Sequence, residues 1–145
     1  MNRTASAVWH GTGKEGSGTL DTQSGVLRGH PYSFRTRFQD EDGRSGTNPE
    51  ELIGAAHAGC YTMQLSFMLS AAGHAPEELR TEAVVTVEPK DGGQAITRVL
   101  LKLTGKVPGI TDGDFQRIAN EAKVSCPVSK VLNAEIKLEA LLSEA

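Results

Sequence analysis

The sequence contains few of the features that identify a protein class directly. It has only two cysteines, Cys60 and Cys126, which excludes a small fold held together by several disulfides. Its net charge is −3, so it lacks the basic surface that binds nucleic acid, and we expect no nucleic acid partner. Its first residues lack the apolar core of a signal peptide. We therefore expect a soluble, cytoplasmic protein whose two thiols do not form a permanent disulfide.

Uninterrupted apolar runs of membrane-spanning length are also absent. The longest candidate runs from Thr47 to Gly73, but His57 and several hydroxyl and amide side chains interrupt it. We therefore expect no membrane partner. The length of 145 residues and the hydrophobic fraction of 38% are typical of a soluble chain that folds as a single domain, residues 1–145.

The same stretch carries strong signals for a long helix from Pro49 to Ala72. Proline fits the first helical position, Asn48 can cap the helix, and two glutamates follow where the helix dipole favours negative charge. Glu51 stands three residues after Asn48, which is the spacing of a capping box, and Gly73 can end the helix. After the first turn the helix has no charge and its apolar side chains point in several directions. We expect it to be buried on most sides.

Strand-like runs precede and follow this helix. The three before it are Thr4 to Trp9, Gly18 to Leu27 and Tyr32 to Phe38, separated by glycine-containing turns, and they predict an antiparallel meander. In the third run, Arg35 and Arg37 would share one face of a strand.

The three runs after the helix are Leu79 to Glu88, Ala95 to Val107 and Ala134 to Leu142. The first two predict a long β-hairpin. An amphipathic helix capped by Thr111 or Asp112 is predicted before the last run. Strands interrupted by helices without a repeated βαβ rhythm indicate an α+β fold.

The chemistry of the chain has to be sought around its cysteines. A thiol attacks as thiolate, and an apolar environment raises its pKa, so Cys60, in the middle of the predicted helix, needs a cation brought from elsewhere. Cys126 precedes Pro127, which fits the first position of a further short helix, and a helix dipole there would lower the thiol pKa. Two inert buried thiols remain an equally good interpretation.

His57 stands three residues before Cys60, so both fall on one face of the helix. Three interpretations stay open on spacing alone. The pair could serve an acyl-transfer or hydrolytic enzyme, His57 could bind zinc together with Cys60 and Cys126, or His57 could be a core histidine whose hydrogen bonds are satisfied.

Four segments together resemble the OsmC/Ohr family of thiol-dependent organic hydroperoxide peroxidases. They are TRF at 36–38, GTNPEELIGAAHAGCYTMQLSFML at 46–69, VPGI at 107–110 and SCPVSKVLNAEIKLE at 125–139. The segment AAHAGC is more similar to the osmotically inducible OsmC branch of the family than to the Ohr branch. Ser125 differs from the glycine that the resemblance leads us to expect before the second cysteine. The resemblance implies an OsmC-like α+β fold with antiparallel sheets around a long central buried helix, in an intertwined homodimer.

The resemblance also implies roles for single residues. Cys60 would be the peroxidatic thiolate, and Cys126 would resolve its sulfenic acid as a disulfide. Arg37 matches the family arginine that holds the thiolate, and Glu50 matches the carboxylate that positions this arginine. Arg35 is the alternative if the register of the strand is shifted.

The implied partners are small molecules and a reductant. The substrate would be an organic hydroperoxide, and an external dithiol, a dihydrolipoyl group ahead of thioredoxin or glutathione, would reduce the disulfide. The resemblance implies no bound metal, haem or flavin. Apolar helix side chains favour alkyl or fatty-acid hydroperoxides as substrates; these are Leu52, Ile53, Tyr61, Met63, Phe67 and Met68. A thiol redox sensor or binding protein and a hydrolase using Cys60 and His57 are the competing classes.

The positions of Glu50 and Cys60 predict a homodimer. The two residues are ten positions apart on one helix, which corresponds to about 15 Å along its axis. If both serve one site, either the helix breaks or a second chain supplies Glu50. We therefore expect two copies of the apolar helix to pack together.

Overall fold

A computed structural model describes residues 1–143. The strands are β1 (Ala5–His10), β2 (Ser17–Thr22), β3 (His30–Tyr32), β4 (Glu78–Lys90), β5 (Gly93–Lys106) and β6 (Glu135–Leu142). The helices are α1 (Pro49–Ala71), α2 (Asp112–Ser125) and α3 (Pro127–Val131). The contacts group the chain into two compact units, residues 1–52 and the residues from 53 onwards. The expected α+β class is confirmed.

In the first unit, β1, β2 and β3 form the antiparallel meander that the sequence predicts. Gly18 of β2 pairs with Trp9 on one side and with Tyr32 on the other. The two aromatic rings pack with their centroids 5.4 Å apart. A side chain at position 18 would collide with both rings, since a Cβ there would lie 2.5 Å from Trp9 and 2.6 Å from Tyr32.

We predict that Gly18→Ala destabilises the first unit by about 1–3 kcal/mol, because the methyl group forces the two rings apart. Gly13→Ala is the matched control, since a Cβ at that glycine meets nothing within 4 Å. Trp9 is the only tryptophan, so denaturant unfolding followed by its fluorescence measures the effect locally. Equal midpoints for the two variants would show that the aromatic contact does not need glycine.

The predicted strand from Tyr32 to Phe38 is wrong beyond its first residue. Pairing ends at Tyr32, and Arg35–Gln39 forms a short π-helical turn. The cause is local: the hydroxyl of Ser33 accepts from the Thr36 N–H, while the hydroxyl of Thr36 accepts from the Ser33 N–H. Such reciprocal bonds satisfy the backbone of a turn and compete with a β-ladder. The two arginines of this segment therefore do not share a strand face.

Helix α1 follows the prediction closely and ends one residue earlier. The side-chain oxygen of Asn48 accepts from the Glu51 N–H at 2.8 Å, as an N-cap does. The Glu51 carboxylate accepts a hydrogen bond from the Thr47 hydroxyl at 2.6 Å, instead of bonding back to the Asn48 N–H as in a capping box. Gly73 adopts φ 88°, the left-handed conformation that ends a helix.

In the second unit, β4 and β5 form the predicted hairpin and β6 completes the sheet. Asp91 and Gly92 make its tight turn with φ of 52° and 81°. The expectation of antiparallel sheets holds for β1 to β5, but β6 pairs parallel to β5. A parallel pair needs a long crossover connection, and α2 and α3 provide it between the two strands.

The core of the second unit lies between one face of this sheet and the helices. Thr111, one of the two predicted N-cap residues, caps α2 through its side chain. The apolar residues at helical spacing on α2 are buried. The fully or almost fully buried apolar side chains include Tyr61, Leu65 and Leu69 of α1, Val99, Leu101 and Leu103 of β5, and Phe115, Ile118, Ala119 and Ala122 of α2. Tyr61 therefore belongs to the core, and its hydroxyl donates to the Ala119 carbonyl at 2.9 Å.

Helix α1 is buried on one side only. Tyr61 and Leu65 face the core, whereas Met63 and Phe67 are 63% and 69% exposed. The sequence predicts that α1 is buried on most sides, and within one chain this prediction is wrong. Among residues 1–143, no helix has the length and apolarity needed to cross a bilayer.

Candidate active site

The two cysteines meet in the second unit. Cys60 lies in the middle of α1 and is half-buried, whereas Cys126 is fully buried between the end of α2 and the start of α3. The Cys126 N–H donates to the Ala122 carbonyl at 2.9 Å, and Pro127 takes the first position of α3, as predicted. The two Sγ atoms lie 3.1 Å apart. A disulfide bond would need them to approach by about 1 Å more.

The surroundings of Cys60 favour the neutral thiol. Burial raises the pKa of Cys60 above its ordinary value, and the neighbouring Cys126 thiol raises it further, whereas the Val128 backbone N–H lowers it. A nucleophilic Cys60 therefore requires a positive charge in addition to these groups, as the sequence already indicates.

Two hydrogen bonds flank the pair of cysteines, and sequence reasoning did not identify them. His57 Nε2 lies 2.8 Å from Ser129 Oγ, and Gln64 Nε2 donates to Ser125 Oγ at 3.2 Å. The available signal was the helical spacing of His57, Cys60 and Gln64, together with the serines on either side of the second cysteine.

His57 is a fully buried histidine with one hydrogen-bonded ring nitrogen. Burial lowers its pKa below the ordinary value, so the ring is neutral. Its Nε2 pairs with Ser129, and its Nδ1 has no partner. Within residues 1–143, His57, Cys60 and Cys126 do not form a cluster that could hold a metal ion. Its burial agrees with the interpretation of a core histidine, whereas the unpaired Nδ1 means that its hydrogen bonds are only partly satisfied.

Arg37 and Glu50 meet in the first unit. Arg37 Nε donates to both carboxylate oxygens of Glu50, at 3.0 and 3.2 Å, and Arg37 Nη2 donates to Oε1 at 2.6 Å. Glu50 is buried in the first turn of α1, where the helix dipole favours its charge, and the Arg37 guanidinium also lies 4.8 Å from the centre of the Phe38 ring. Arg35 is exposed and is not the partner of Glu50. The pairing predicted for Arg37 is present, although its segment is helical.

The guanidinium of Arg37 is only partly enclosed by this pair. Its side chain remains 40% exposed. It lines a pocket of about 600 Å³ together with Thr12, Gly13, Lys14, Glu15 and Phe34. One side of the arginine is thus fixed by a buried carboxylate, and the other remains accessible to a ligand or to another protein surface.

The four predicted site residues therefore form two pairs, one in each unit. Arg37 and Glu50 make a charge-assisted bidentate contact. Cys60 and Cys126 bring two sulfur atoms into contact distance. The first pair can supply an oriented positive charge, and the second can undergo thiol–disulfide chemistry.

Comparison with known proteins identifies the family. The family described as OsmC-like protein matches residues 40–140. The chain is 50% identical to Peroxiredoxin OsmC of Escherichia coli (strain K12) over 139 residues, covering 96% of this chain and 95% of the relative. It is 28% identical to organic hydroperoxide resistance protein OhrB of Bacillus subtilis (strain 168) over 85% of this chain and 88% of the relative.

The fold agrees with this result. The structure of an OsmC-like protein of unknown function from Vibrio cholerae O1 biovar eltor str. N16961 superposes with a TM-score of 0.77, covering 97% of this chain and 99% of the other at 15% identity. That likeness concerns the fold alone. The family model and the 50% identical relative establish that the chain belongs to the OsmC family.

Proposed function

We propose that this protein is a thiol-dependent peroxidase that reduces organic hydroperoxides through Cys60 and Cys126. The observation that carries the proposal is the 3.1 Å separation of the two Sγ atoms, which allows one thiol to resolve the oxidised form of the other. The peroxiredoxin and organic hydroperoxide resistance relatives support peroxidase activity.

The proposed cycle balances with the two cysteines and one external reductant. The Cys60 thiolate attacks the hydroperoxide, so an S–O bond forms, the O–O bond breaks, and the alkoxide leaves as an alcohol after taking up a proton. The thiol of Cys126 then attacks the Cys60 sulfenic acid and releases water as the disulfide forms. An external dithiol supplies two electrons and two protons to restore both thiols. A dihydrolipoyl group is the proposed donor.

Arg37 is the proposed source of the positive charge that Cys60 needs. Its bidentate contact fixes the guanidinium before substrate arrives, so little entropy is lost when it pairs with a thiolate or a peroxide oxygen. Glu50 is the positioning residue that holds it.

The proposed assembly is a homodimer in which Arg37 of one chain serves Cys60 of the other. Helix α1 runs unbroken over Pro49–Ala71, so a break between Glu50 and Cys60 does not resolve the distance predicted from their spacing. The exposed Met63 and Phe67 give α1 an apolar face of the kind that a second copy would bury.

The same apolar side chains support the proposed substrate class. Alkyl and fatty-acid hydroperoxides carry a hydrocarbon part that gains free energy on leaving water, whereas hydrogen peroxide does not. Tyr61 does not contribute, since it is buried in the core. The remaining candidates on α1 are Leu52, Ile53, Met63, Phe67 and Met68.

Replacing Cys126 tests the two-cysteine cycle. We expect Cys126→Ser to release alcohol at the wild-type rate in a single turnover and to accumulate a sulfenic acid on Cys60, because attack precedes resolution. A sulfenic-acid trapping reagent and mass spectrometry measure this. Cys126→Ala, which buries no hydroxyl group, controls for the polarity of serine at this buried position. Normal multiple turnover without trapped sulfenic acid would contradict the cycle.

The same assay separates the competing classes. A thiol redox sensor whose disulfide the dithiol does not reduce would consume one equivalent of cumene hydroperoxide and then stop. A hydrolase would cleave activated esters through Cys60 and would be indifferent to the dithiol. The observation against the hydrolase is that the side-chain hydrogen bond of His57 goes to Ser129, and neither ring nitrogen is hydrogen-bonded to Cys60.

A further inference from the structure

Three contacts join α1 to the segment that carries Cys126, and they occur in antiparallel order. His57 contacts Ser129, Cys60 contacts Cys126, and Gln64 contacts Ser125. The sulfur contact thus lies between two polar contacts. The Ser125 hydroxyl also lies 3.7 Å from the Met68 sulfur, one turn further along α1.

The backbone of Cys126 is held by the two helices on either side, since its N–H donates to the Ala122 carbonyl at 2.9 Å and its carbonyl accepts from the Lys130 N–H at 3.1 Å. Helix α3 has only five residues and none of them is fully buried. Cys126 is the N-cap residue of α3, but its side chain makes no capping hydrogen bond. The backbone at Cys126 is extended, with φ −60° and ψ 124°, so α2 does not continue through it. Local hydrogen bonds thus fix the backbone at Cys126, whereas the distance of its sulfur from α1 depends on the contacts between this segment and α1.

We propose that His57, Gln64, Ser125 and Ser129 are positioning residues whose two hydrogen bonds hold Cys126 in reach of Cys60. We refer to these two bonds, His57–Ser129 and Gln64–Ser125, as the serine clamp. This role rests on the proposed peroxidase cycle and concerns its second step. The clamp favours disulfide formation over further oxidation of the Cys60 sulfenic acid.

The two competing reactions start from the same sulfenic acid. In resolution, the Cys126 sulfur bonds to the Cys60 sulfur and the hydroxyl group leaves as water. In over-oxidation, a second hydroperoxide transfers an oxygen atom to the Cys60 sulfur, giving a sulfinic acid and an alcohol. Only the first reaction depends on the effective concentration of Cys126, and a small misplacement of a reacting group lowers such a concentration strongly.

Ser125 stands directly before Cys126 and supplies the hydroxyl group that accepts from Gln64. Glycine at this position would have no hydroxyl group to accept this bond. The hydroxyl present here adds a fixed contact where the backbone would otherwise be free. Replacing Ser125 by a residue without a hydroxyl group therefore removes the Gln64–Ser125 bond and leaves the His57–Ser129 bond in place.

Removing each bond should weaken the disulfide without affecting peroxide attack. We expect Ser129→Ala and Ser125→Ala each to lower the equilibrium constant for disulfide formation about fivefold, which corresponds to about 20 mV less negative potential. In the double variant the equilibrium constant for disulfide formation should fall about 25-fold. Equilibration in dithiothreitol redox buffers measures this without any peroxide. The fraction of Cys60 converted to sulfinic acid per turnover should rise by a similar factor.

The controls distinguish positioning from general loss of stability. Ser70→Ala removes an exposed serine from the same helix and should change neither readout. Ser129→Thr keeps the hydroxyl group and should restore the potential. Gln64→Met removes the donor while nearly conserving volume, and it should have no additional effect in the Ser125→Ala background.

A lower melting temperature with a potential and a sulfinic fraction within about twofold of wild type would overturn the proposal, because a structural role alone predicts this result. Gln64→Met serves as the test if the serine variants do not fold. If wild type releases no alcohol from cumene hydroperoxide, the peroxidase proposal fails. The redox-buffer measurement then still decides whether the clamp positions the thiols.

Discussion

Cys60→Ser should reduce the kcat/KM for cumene hydroperoxide by at least about a thousandfold, which is the largest effect we expect from any single substitution. A serine hydroxyl is not ionised near neutral pH, so it cannot attack the O–O bond as a thiolate does. The measurement is dithiol-dependent consumption of the hydroperoxide, with alcohol release as an independent readout.

The fold of this variant should remain intact, because serine is close in size to cysteine and position 60 is only half-buried. Circular dichroism and thermal unfolding check this point. A Cys60→Ser protein that keeps more than about a tenth of wild-type turnover would show that another group carries the reaction.

Arg37→Ala should have the second-largest effect, a fall of about 100-fold in kcat/KM near neutral pH. Burial already raises the pKa of Cys60, so losing the proposed cation raises it further and leaves less thiolate. Because the thiolate fraction increases with pH, the loss should shrink as pH rises, and the rate profile should move to higher pH than in wild type.

Two further arginine variants control this result. Arg35→Ala removes an exposed arginine two positions away that does not pair with Glu50, and it should retain nearly full activity. Arg37→Lys keeps the charge but loses the bidentate contact with Glu50, so an intermediate loss is expected. A pH profile unchanged in Arg37→Ala would contradict a role for this residue in holding the thiolate.

Mixing two inactive variants tests whether Arg37 acts across the dimer. In co-expressed Cys60→Ser and Arg37→Ala chains, a mixed dimer would contain one complete site, made from Cys60 of one chain and Arg37 of the other. With free assortment, about a quarter of wild-type activity should return. No recovery beyond the residual activity of the Arg37→Ala homodimer, or a monomer by sedimentation at micromolar concentration, would contradict the proposed arrangement.

The elements with strong local signals could be predicted from the sequence. Helix α1 begins at Pro49 with Asn48 as its cap and is followed by Gly73 in the left-handed conformation. The β4–β5 hairpin likewise follows from the alternation of apolar and polar residues in two neighbouring runs, and α2 follows from its apolar spacing and the N-cap Thr111. In these elements, local preference and tertiary packing favour the same structure.

Two features that depend on side-chain hydrogen bonds or on the path of the chain could not be predicted from the sequence. The segment after β3 has the aromatic and hydroxyl residues of a strand, but the Ser33–Thr36 bonds favour a helical turn. The direction of β6 relative to β5 depends on how α2 and α3 cross the sheet, and no residue of β6 encodes it.

The candidate site divides in the same way. The roles of Cys60, Cys126, Arg37 and Glu50 came from resemblance to a family, and the structure adds the geometry of each pair. The serine clamp involves residues 61 and 72 positions apart in the chain, so it becomes visible only when α1 and the Cys126 segment are packed together.

The central claim is that Cys60 and Cys126 form one redox unit, and the mass of the intact protein tests it most directly. After treatment of the reduced protein with one equivalent of cumene hydroperoxide, we predict a loss of about 2 Da, one equivalent of alcohol and a peptide map linking Cys60 to Cys126. Two free thiols with the hydroperoxide unconsumed, or a stable sulfenic acid on Cys60 with Cys126 still reduced, would contradict the account.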